Sequence, residues 1–483
     1  MDTVNDPLLN LVEKYEQHEY VSSTWGPEAY TKMFEKFYYS MPDQIEEKYQ
    51  HLWDFATSVV LKEYGYMQDS VVTPIISTTK NMDSTPAFPK FLKYSTERDY
   101  VENNGWMEYV KIWNTNPDEL KRVLWWTFLK NETLKEEKVK NNDIRMIMCT
   151  DPVFTRYGAA FEEHQNNLMK ERTETHQAQV GWSPFYGGLN QRLDRLSRFP
   201  NYKEIDWTRF DGTIPLEVFR HIKNIRFFFL SETYKTPENR ARYKWYTHNL
   251  MYKVTLLPTG EVTLISRGNP SGQISTTTDN NMINTFLTAF EVAYFYYERT
   301  GKVPTVRDYY QNVDSICYGD DRLLSVSDDF NYDATRLPEM YKTIFGMWVK
   351  PSNIKESRCL EGLSFCGLTI IKALSNYYGV PNVNKILSTL EHPVRKLPDV
   401  TALWGKLISL RILCEFAPEY TKDFLDSQIL RVKEFCQKEN IQLPEVGKFF
   451  FKTIWLGGPK PWSKESKEEE SVSASKEPPH QHQ

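Results

Sequence analysis

The sequence predicts a mixed α/β (α+β) fold in which antiparallel hairpins pack against long amphipathic helices. Three observations predict it. Tyr318-Gly319-Asp320-Asp321 lies between Asp314–Cys317 and Arg322–Val326, which reads as strand, tight acidic turn, strand. Tyr252–Leu257 and Glu261–Ile265, joined by Pro258-Thr259-Gly260, read as a second hairpin. Val218, Ile222, Ile225 and Phe229 after Pro215, and Ile283, Phe286, Leu287, Phe290 and Ala293 before Gly301, repeat at three- and four-residue spacing and predict two helices.

Composition bounds the rest. A chain of 483 residues can bury a large core and divide into several subdomains. With 25% charged and 14% aromatic residues it is globular and not disordered. A net charge of −5 argues against a generic nucleic-acid binder, so any such site must be a local basic channel in an acidic body. Six cysteines without a CxxC pair and nine histidines without HExxH argue against a disulfide framework and a classical zinc site. The amino terminus shows no secretory pattern, and apolar runs such as Arg226–Leu230 are too short to span a bilayer, so no intrinsic membrane insertion is expected.

Along the chain, residues 1–80 mix helical stretches such as Tyr30–Tyr39 with Gly/Pro interruptions and carry no legible chemistry. Between 117 and 145, Lys121, Arg122, Lys130, Lys135, Lys138, Lys140 and Arg145 alternate with Glu132, Glu136, Glu137 and Asp143. On charge alone this is a solvated face of mixed sign. Ile205-Asp206-Trp207 reads as a strand end and Asp211-Gly212 as the turn into the helix after Pro215. Arg267–Gly272 is a loop leading into the second helix. Residues 376–462 are mainly helical by pattern, and 463–483, including His480 and His482, read as a disordered tail. The pair Asp328-Asp329 lacks a strand–turn–strand setting and reads as loop.

Adjacent carboxylates repel and desolvate badly unless a cation neutralises them, so the Asp320-Asp321 turn is a candidate Mg²⁺ site. An ordinary Gly-Asp hairpin is the bland alternative. Two-metal phosphoryl transfer needs carboxylates from separate elements to converge on ions about 4 Å apart. Asp206 at a strand end and Asp320 at a hairpin tip meet that requirement. Their context is ordered: Asp-x4-Asp (Asp206, Asp211), Ser-Gly-x3-Thr-x3-Asn (Ser271, Gly272, Thr276, Asn280), then Tyr-Gly-Asp-Asp.

This series resembles motifs A, B and C of viral RNA-dependent RNA polymerases of the picornavirus, calicivirus and astrovirus group. The wording Asp206–Pro215 and Tyr318–Leu323 is most like an astrovirus polymerase, and the resemblance covers roughly Ser84 to Gly367. It implies a right hand: fingers from 1–200 and 223–262, palm from 201–222 and 263–375, a helical thumb from 376–462 and the tail beyond. By resemblance, Asp206 and Asp320 are the main metal ligands with Asp321 supporting, and the cofactor is a pair of Mg²⁺ ions for which Mn²⁺ can substitute. Asp211 and Asn280 recognise the ribose, with Thr276 positioning one of them. Ser271 and Gly272 let the backbone approach template and nucleotide. Lys138 and Arg145, in a motif F finger strand, bind the triphosphate. Lys355 of motif D protonates the leaving pyrophosphate. Phe365, Cys366 and Gly367 form the motif E turn at the primer end, and Ser84–Pro89 occupies the place of motif G.

The implied activity is template-directed RNA synthesis, replicating and transcribing a positive-strand RNA virus genome. The implied partners are RNA template and primer, NTPs, a genome-linked protein primer and other viral replication proteins. The implied setting is host cytoplasm, at replication membranes by recruitment of a polyprotein product. Two other readings stand beside it: a reverse transcriptase, and a catalytically silent RNA-binding scaffold.

Overall fold

The acidic hairpin forms one half of a four-stranded sheet in the computed structural model, which describes residues 4–35, 45–447 and 450–457. In spatial order the strands are Lys355–Ser357, Asn201–Glu204, Asp321–Val326 and Val313–Tyr318, each antiparallel to its neighbour. Tyr318 pairs with Asp321, so Gly319 and Asp320 alone make the loop. Gly319 supplies φ +61° at the first loop position, a conformation in which a Cβ is unfavourable.

Both faces of this sheet are covered, which is why its two hairpin strands are almost wholly apolar or buried instead of alternating. Leu324 and Val326 point into a core shared with Ile283, Phe286 and Phe290 of the predicted helix, which spans Thr276–Thr300. Leu323 and Ile316 point the other way, into a second core with Leu189, Leu193 and Leu196 of helix Gly188–Leu196. The long helix ends at Gly301, whose φ of +71° closes it as the sequence predicts. The helix after Pro215 spans Leu216–Phe229 and packs against it, as does Gln50–Glu63.

The second predicted hairpin is present as Lys253–Leu256 and Val262–Ile265. It joins a four-stranded sheet through Leu124–Leu129, which runs parallel to Lys253–Leu256 and antiparallel to Met146–Cys149. The mixed-charge zone is therefore not one solvated face: Trp125, Thr127 and Leu129 alternate inward in the midst of it.

The segment expected to be mainly helical opens with a strand, Asn376–Pro381, paired with Leu368–Ala373. Leu374 and Ser375, at φ +56° and +123°, reverse the chain there, and Gly379 lies where a Cβ would come within 2.8 Å of Leu368 Cβ. Helices Val400–Leu413 and Glu419–Lys438 follow, with Leu403, Leu407, Leu425 and Val432 in their own core. The amino-terminal segment reaches both of these regions. Its strand Tyr20–Ser22 pairs with Thr133–Lys135, while Asp6 Oδ2 accepts from Leu397 N–H and Gln428 Oε1 accepts from Glu13 N–H.

The predicted helix Tyr30–Tyr39 is seen as Pro27–Glu35, and its remainder, like the predicted tail, lies outside the described residues. Asp328 and Asp329, read as loop, start a short 3-10 turn, Asp328–Phe330. Among the described residues no helix is long and apolar enough to cross a membrane, and the cysteines are free.

Candidate active site

Asp206 follows the strand Asn201–Glu204 and precedes Trp207–Thr208, which pairs with Trp348–Val349. That pairing brings the next turn back over Asp206. Its main-chain carbonyl accepts from Lys350 N–H at 2.9 Å, and its Oδ2 accepts from Asn353 Nδ2 at 3.0 Å and meets Lys350 Nζ at 3.3 Å. The sequence reading did not single out Lys350 or Asn353. Neither residue belongs to a recognisable spacing, since only the two-residue bridge Trp348–Val349 places them.

Asp320 sits at the tip of the hairpin, and the long helix holds that tip from below. Asn281 Oδ1 accepts from Gly319 N–H, and Asn284 Nδ2 donates to Gly319 O at 3.0 Å. Asn284 is itself oriented by Arg322, whose Nε donates to Asn284 Oδ1 at 2.9 Å and whose Nη1 meets Glu291 at 2.8 Å. These buried amides were also missed, although two asparagines three apart in an apolar helix face are a legible signal. Loss of hydration and the nearby charge of Asp206 together hold the Asp320 carboxyl above its ordinary value.

Asp321 plays a different part. Its Oδ2 accepts from Cys366 N–H at 2.6 Å, and loss of hydration pushes its carboxyl up to about 7. An open cavity of about 540 Å³ is lined by Asp320, Asp321, Tyr318, Cys366, Trp182 and Gly181. Among the described residues no three His, Cys, Asp or Glu side chains form a ready-made metal cage. Asp206 and Asp320 nonetheless fit a divalent hard cation: both are oxygen donors, and their mutual repulsion is relieved by one.

Asp211 and Asn280, both assigned to the ribose by resemblance, are in direct contact. Asp211 lies in the short helix Phe210–Thr213 after Arg209 at φ +52°, its carbonyl accepts from Asn269 N–H, and its Oδ1 accepts from Asn280 Nδ2 at 2.6 Å. Loss of hydration, and secondarily the charge of Asp320, push the Asp211 carboxyl up to about 6. Thr276 acts on this pair through Asn269, whose Nδ2 donates to Thr276 O at 3.1 Å. Its hydroxyl donates to Pro270 O at 2.8 Å and so ties the loop to the helix start, while Asn269 Nδ2 supplies the contact to Asn280 Oδ1 at 2.9 Å.

The close approach made by Ser271 and Gly272 is to protein. Ser271 Oγ accepts from Met148 N–H at 3.0 Å, and a Cβ on Gly272 would lie 1.9 Å from Met148 O. The loop is thereby fastened to the strand Met146–Cys149. Gly272→Ala is expected to displace this strand, because the clash is with main chain that cannot rotate away, and to lower both apparent melting temperature and primer extension. Thermal denaturation beside an extension assay checks it.

Lys138 is on a short helix, Glu136–Lys140, and not on the expected strand. Acids in its first turn, bases in its last and a Glu136–Lys140 pair at 3.3 Å favour that helix. The Lys138 side chain is exposed, with no described contact to the acidic cluster. Arg145 is better placed: it forms a two-pronged pair with Glu132, with Nε to Oε1 at 3.0 Å, and Asp211 and Asp320 add to the field that raises its pKa. Lys355 starts the edge strand Lys355–Ser357 and faces Glu204 at 3.5 Å. Phe365 cannot reach RNA, because it is fully buried against Trp182 and the second core. The turn itself is Cys366-Gly367, at φ +52° and +75°, between the paired residues Phe365 and Leu368.

The family profile described as "Viral RNA-dependent RNA polymerase" matches residues 2–429. The chain is 56% identical over 458 residues to the non-structural polyprotein 1AB of Turkey astrovirus 2, covering 94% of this chain and 28% of the polyprotein. It is 42% identical over 470 residues to the corresponding polyprotein of Human astrovirus-1, covering 94% of this chain and 32% of that protein. The chain thus spans about 28% of the first of these relatives. Its fold is similar to that of the Sicinivirus 3Dpol RNA dependent RNA polymerase, with a TM-score of 0.71 at 14% identity and 94% coverage of both chains.

Proposed function

The chain belongs to the viral RNA-dependent RNA polymerase family, and on that premise we propose that Asp206 and Asp320 carry two-metal nucleotidyl transfer between RNA and a templated ribonucleotide. The observation that supports it is the placement of two mutually repelling carboxylates, one at a strand end and one at a hairpin tip, beside the Asp211–Asn280 pair. The fold is that of a right-hand polymerase, and the enzyme is an RNA-directed RNA polymerase. The family uses divalent metal ions; here Asp206 and Asp320 would hold Mg²⁺, or Mn²⁺ in its place, with Asp321 alongside. Such ions supply, when bound, activation of the primer 3′-hydroxyl and neutralisation of the phosphate charge.

The protein's own groups position the reactants, which in phosphoryl transfer is most of the work. Arg145 offers a planar pair of donors to the triphosphate, exchanging Glu132 oxygens for phosphate oxygens. Asp211 and Asn280 bracket the ribose 2′-hydroxyl, which both donates and accepts hydrogen bonds. The Cys366-Gly367 turn, tethered to Asp321, sits at the edge of the cavity where the primer end would lie. Lys355, beside Glu204, is assigned the leaving-group proton, with Lys350 at Asp206 as the second lysine within the site. Ser271 and Gly272 form the loop beneath the nucleotide.

In this reading the fingers comprise 1–200 and 223–262, the palm 201–222 and 263–375, and the thumb 376–462. The substrate is a positive-strand viral genome, replicated in host cytoplasm at membranes to which partner proteins recruit a polyprotein product, with a genome-linked protein as primer. Single-nucleotide extension of a primed RNA template with NTP and dNTP tests it. Mg²⁺-dependent extension with NTP is expected, and a preference for dNTP overturns the reading in favour of a reverse transcriptase. Asp211→Ala is expected to relax discrimination against dNTP. Discrimination by the unaltered enzyme is expected to fall as pH drops from about 7.5 to about 5.5. With its carboxyl at about 6, Asp211 accepts from the 2′-hydroxyl above that pH and is protonated below it. Equal selectivity at the two pH values would count against the role of Asp211.

A further inference from the structure

Behind Asp211 and Asn280 lies a line of buried amides with one permitted polarity. Gln273 Nε2 donates to Asp279 Oδ2 at 2.9 Å and to Asn269 Oδ1 at 2.6 Å. Asn269 Nδ2 donates to Asn280 Oδ1 at 2.9 Å, and Asn280 Nδ2 donates to Asp211 Oδ1 at 2.6 Å. Tyr246 OH lies 3.2 Å from Gln273 Oε1 and 3.0 Å from Glu162 Oε1, and its single hydrogen serves one of them at a time. All three amide residues are less than 9% exposed.

An amide can rotate to exchange its oxygen and nitrogen, and an asparagine facing a ribose could therefore present either. Here the ends of the line forbid the choice. Asp279 pairs with Lys223 and Arg226 at 2.6 Å each, so it accepts only, and Gln273 must turn its NH₂ toward it. That NH₂ requires the oxygen of Asn269, whose NH₂ is then shared between Thr276 O at 3.1 Å and the oxygen of Asn280. Asn280 is left with its NH₂ outward, one hydrogen on Asp211 and one toward the nucleotide. The 2′-hydroxyl then meets a fixed donor in Asn280 and a fixed acceptor in the second oxygen of Asp211, and a 2′-hydrogen satisfies neither.

We propose that Asn269 and Gln273 are positioning residues for sugar selection, setting the amide polarity of Asn280 and hence the preference of this polymerase for ribonucleotides. The proposal rests on the assignment of Asp211 and Asn280 to the ribose. The low cost of one uncharged hydrogen bond in water rises when its partner is left buried and unpaired, which is what removing Asn269 does to Asn280 Oδ1.

The test compares single-nucleotide kcat/KM for NTP and the matching dNTP in Asn269→Leu, Gln273→Met, Asn280→Ala, Asp211→Ala and the double variant Asn269→Leu/Asn280→Ala. Taking the ratio of two substrates on one preparation cancels any loss of folded enzyme. The NTP/dNTP ratio is expected to fall about tenfold in Asn269→Leu and by less in Gln273→Met, with no further fall on adding Asn269→Leu to Asn280→Ala. If Asn269→Leu and Gln273→Met lower incorporation of both nucleotides equally, leaving the ratio unchanged while Asn280→Ala reduces it, the relay is merely structural and the proposal is overturned. If Asn280→Ala and Asp211→Ala also leave the ratio unchanged, the ribose assignment itself fails, and the proposal with it.

Discussion

Replacing Asp320 by alanine should reduce nucleotide incorporation by about a hundred- to a thousandfold or more, the scale of removing a principal electrostatic element from an active site, while the fold stays intact. The two halves of that expectation have separate causes. Activity is lost because the carboxylates that remain are already engaged, Asp206 by Lys350 and Asn353 and Asp321 by Cys366 N–H, and cannot by themselves hold the ions that the family uses. The fold is kept because the hairpin tip is held through the main chain of Gly319, by Asn281 and Asn284, and not through the Asp320 side chain. Removing one of two repelling acids even relieves the native state. Mg²⁺-dependent primer extension beside a thermal melt checks both, and full activity in a folded variant would sink the assignment. Asp321→Asn serves as comparator. The amide oxygen can still accept from Cys366 N–H, so a milder loss is expected.

The largest expected effect on stability lies elsewhere, in the buried cluster of Glu162, Asp279, Lys223 and Arg226. Lys223 and Arg226 each meet both acids, at 2.6 to 3.6 Å, and all four side chains are at most 1% exposed. Tyr243, Tyr246 and Ser275 hydroxyls complete the bonding of Glu162. Burial alone would push the Glu162 carboxyl up, yet the two cations hold it below its ordinary value. Asp279→Ala leaves two buried cations against one acid and should cost about 3–5 kcal/mol. The measurement is apparent melting temperature at a fixed scan rate, since chains of this size often unfold irreversibly. A drop of several degrees is expected, and an unchanged melt would show that water or a rearranged neighbour replaces the lost charge. Because the same aspartate anchors Gln273, the variant should also loosen the loop that leads to Asn280.

These two sites mark what could and could not be read along the chain. Asp206, Asp211, Asn280 and Asp320 were legible because each lies at a fixed offset from a strand end, a helix start or a tight turn. Local rules of turn and helix chemistry act over a few residues, and a sequence displays those directly. Lys350 and Asn353 were not legible, since each meets Asp206 only through pairing between distant segments. Phe365 misled for a related reason: its neighbours Cys366 and Gly367 do form the exposed turn, but alternation along Ser364–Phe365 sends its ring inward. Lys138 sits on a helix, which its own local charges favour, although the resemblance placed it on a strand. The strand Leu124–Leu129 was hidden by the charges flanking it.

The amino-terminal segment carries a consequence for how the chain comes to be folded. Glu13 bonds to Gln428 and Arg431, partners 415 and 418 residues away, and Asp6 bonds to a main-chain amide 391 residues away. During synthesis residues 6–13 emerge before residues 397–431, so until those follow the segment lacks these partners. Closing a loop of this length is entropically slow, and unpaired apolar residues such as Val12 stay open to wrong partners while they wait. Docking of Glu13 therefore cannot precede synthesis of the helix Glu419–Lys438.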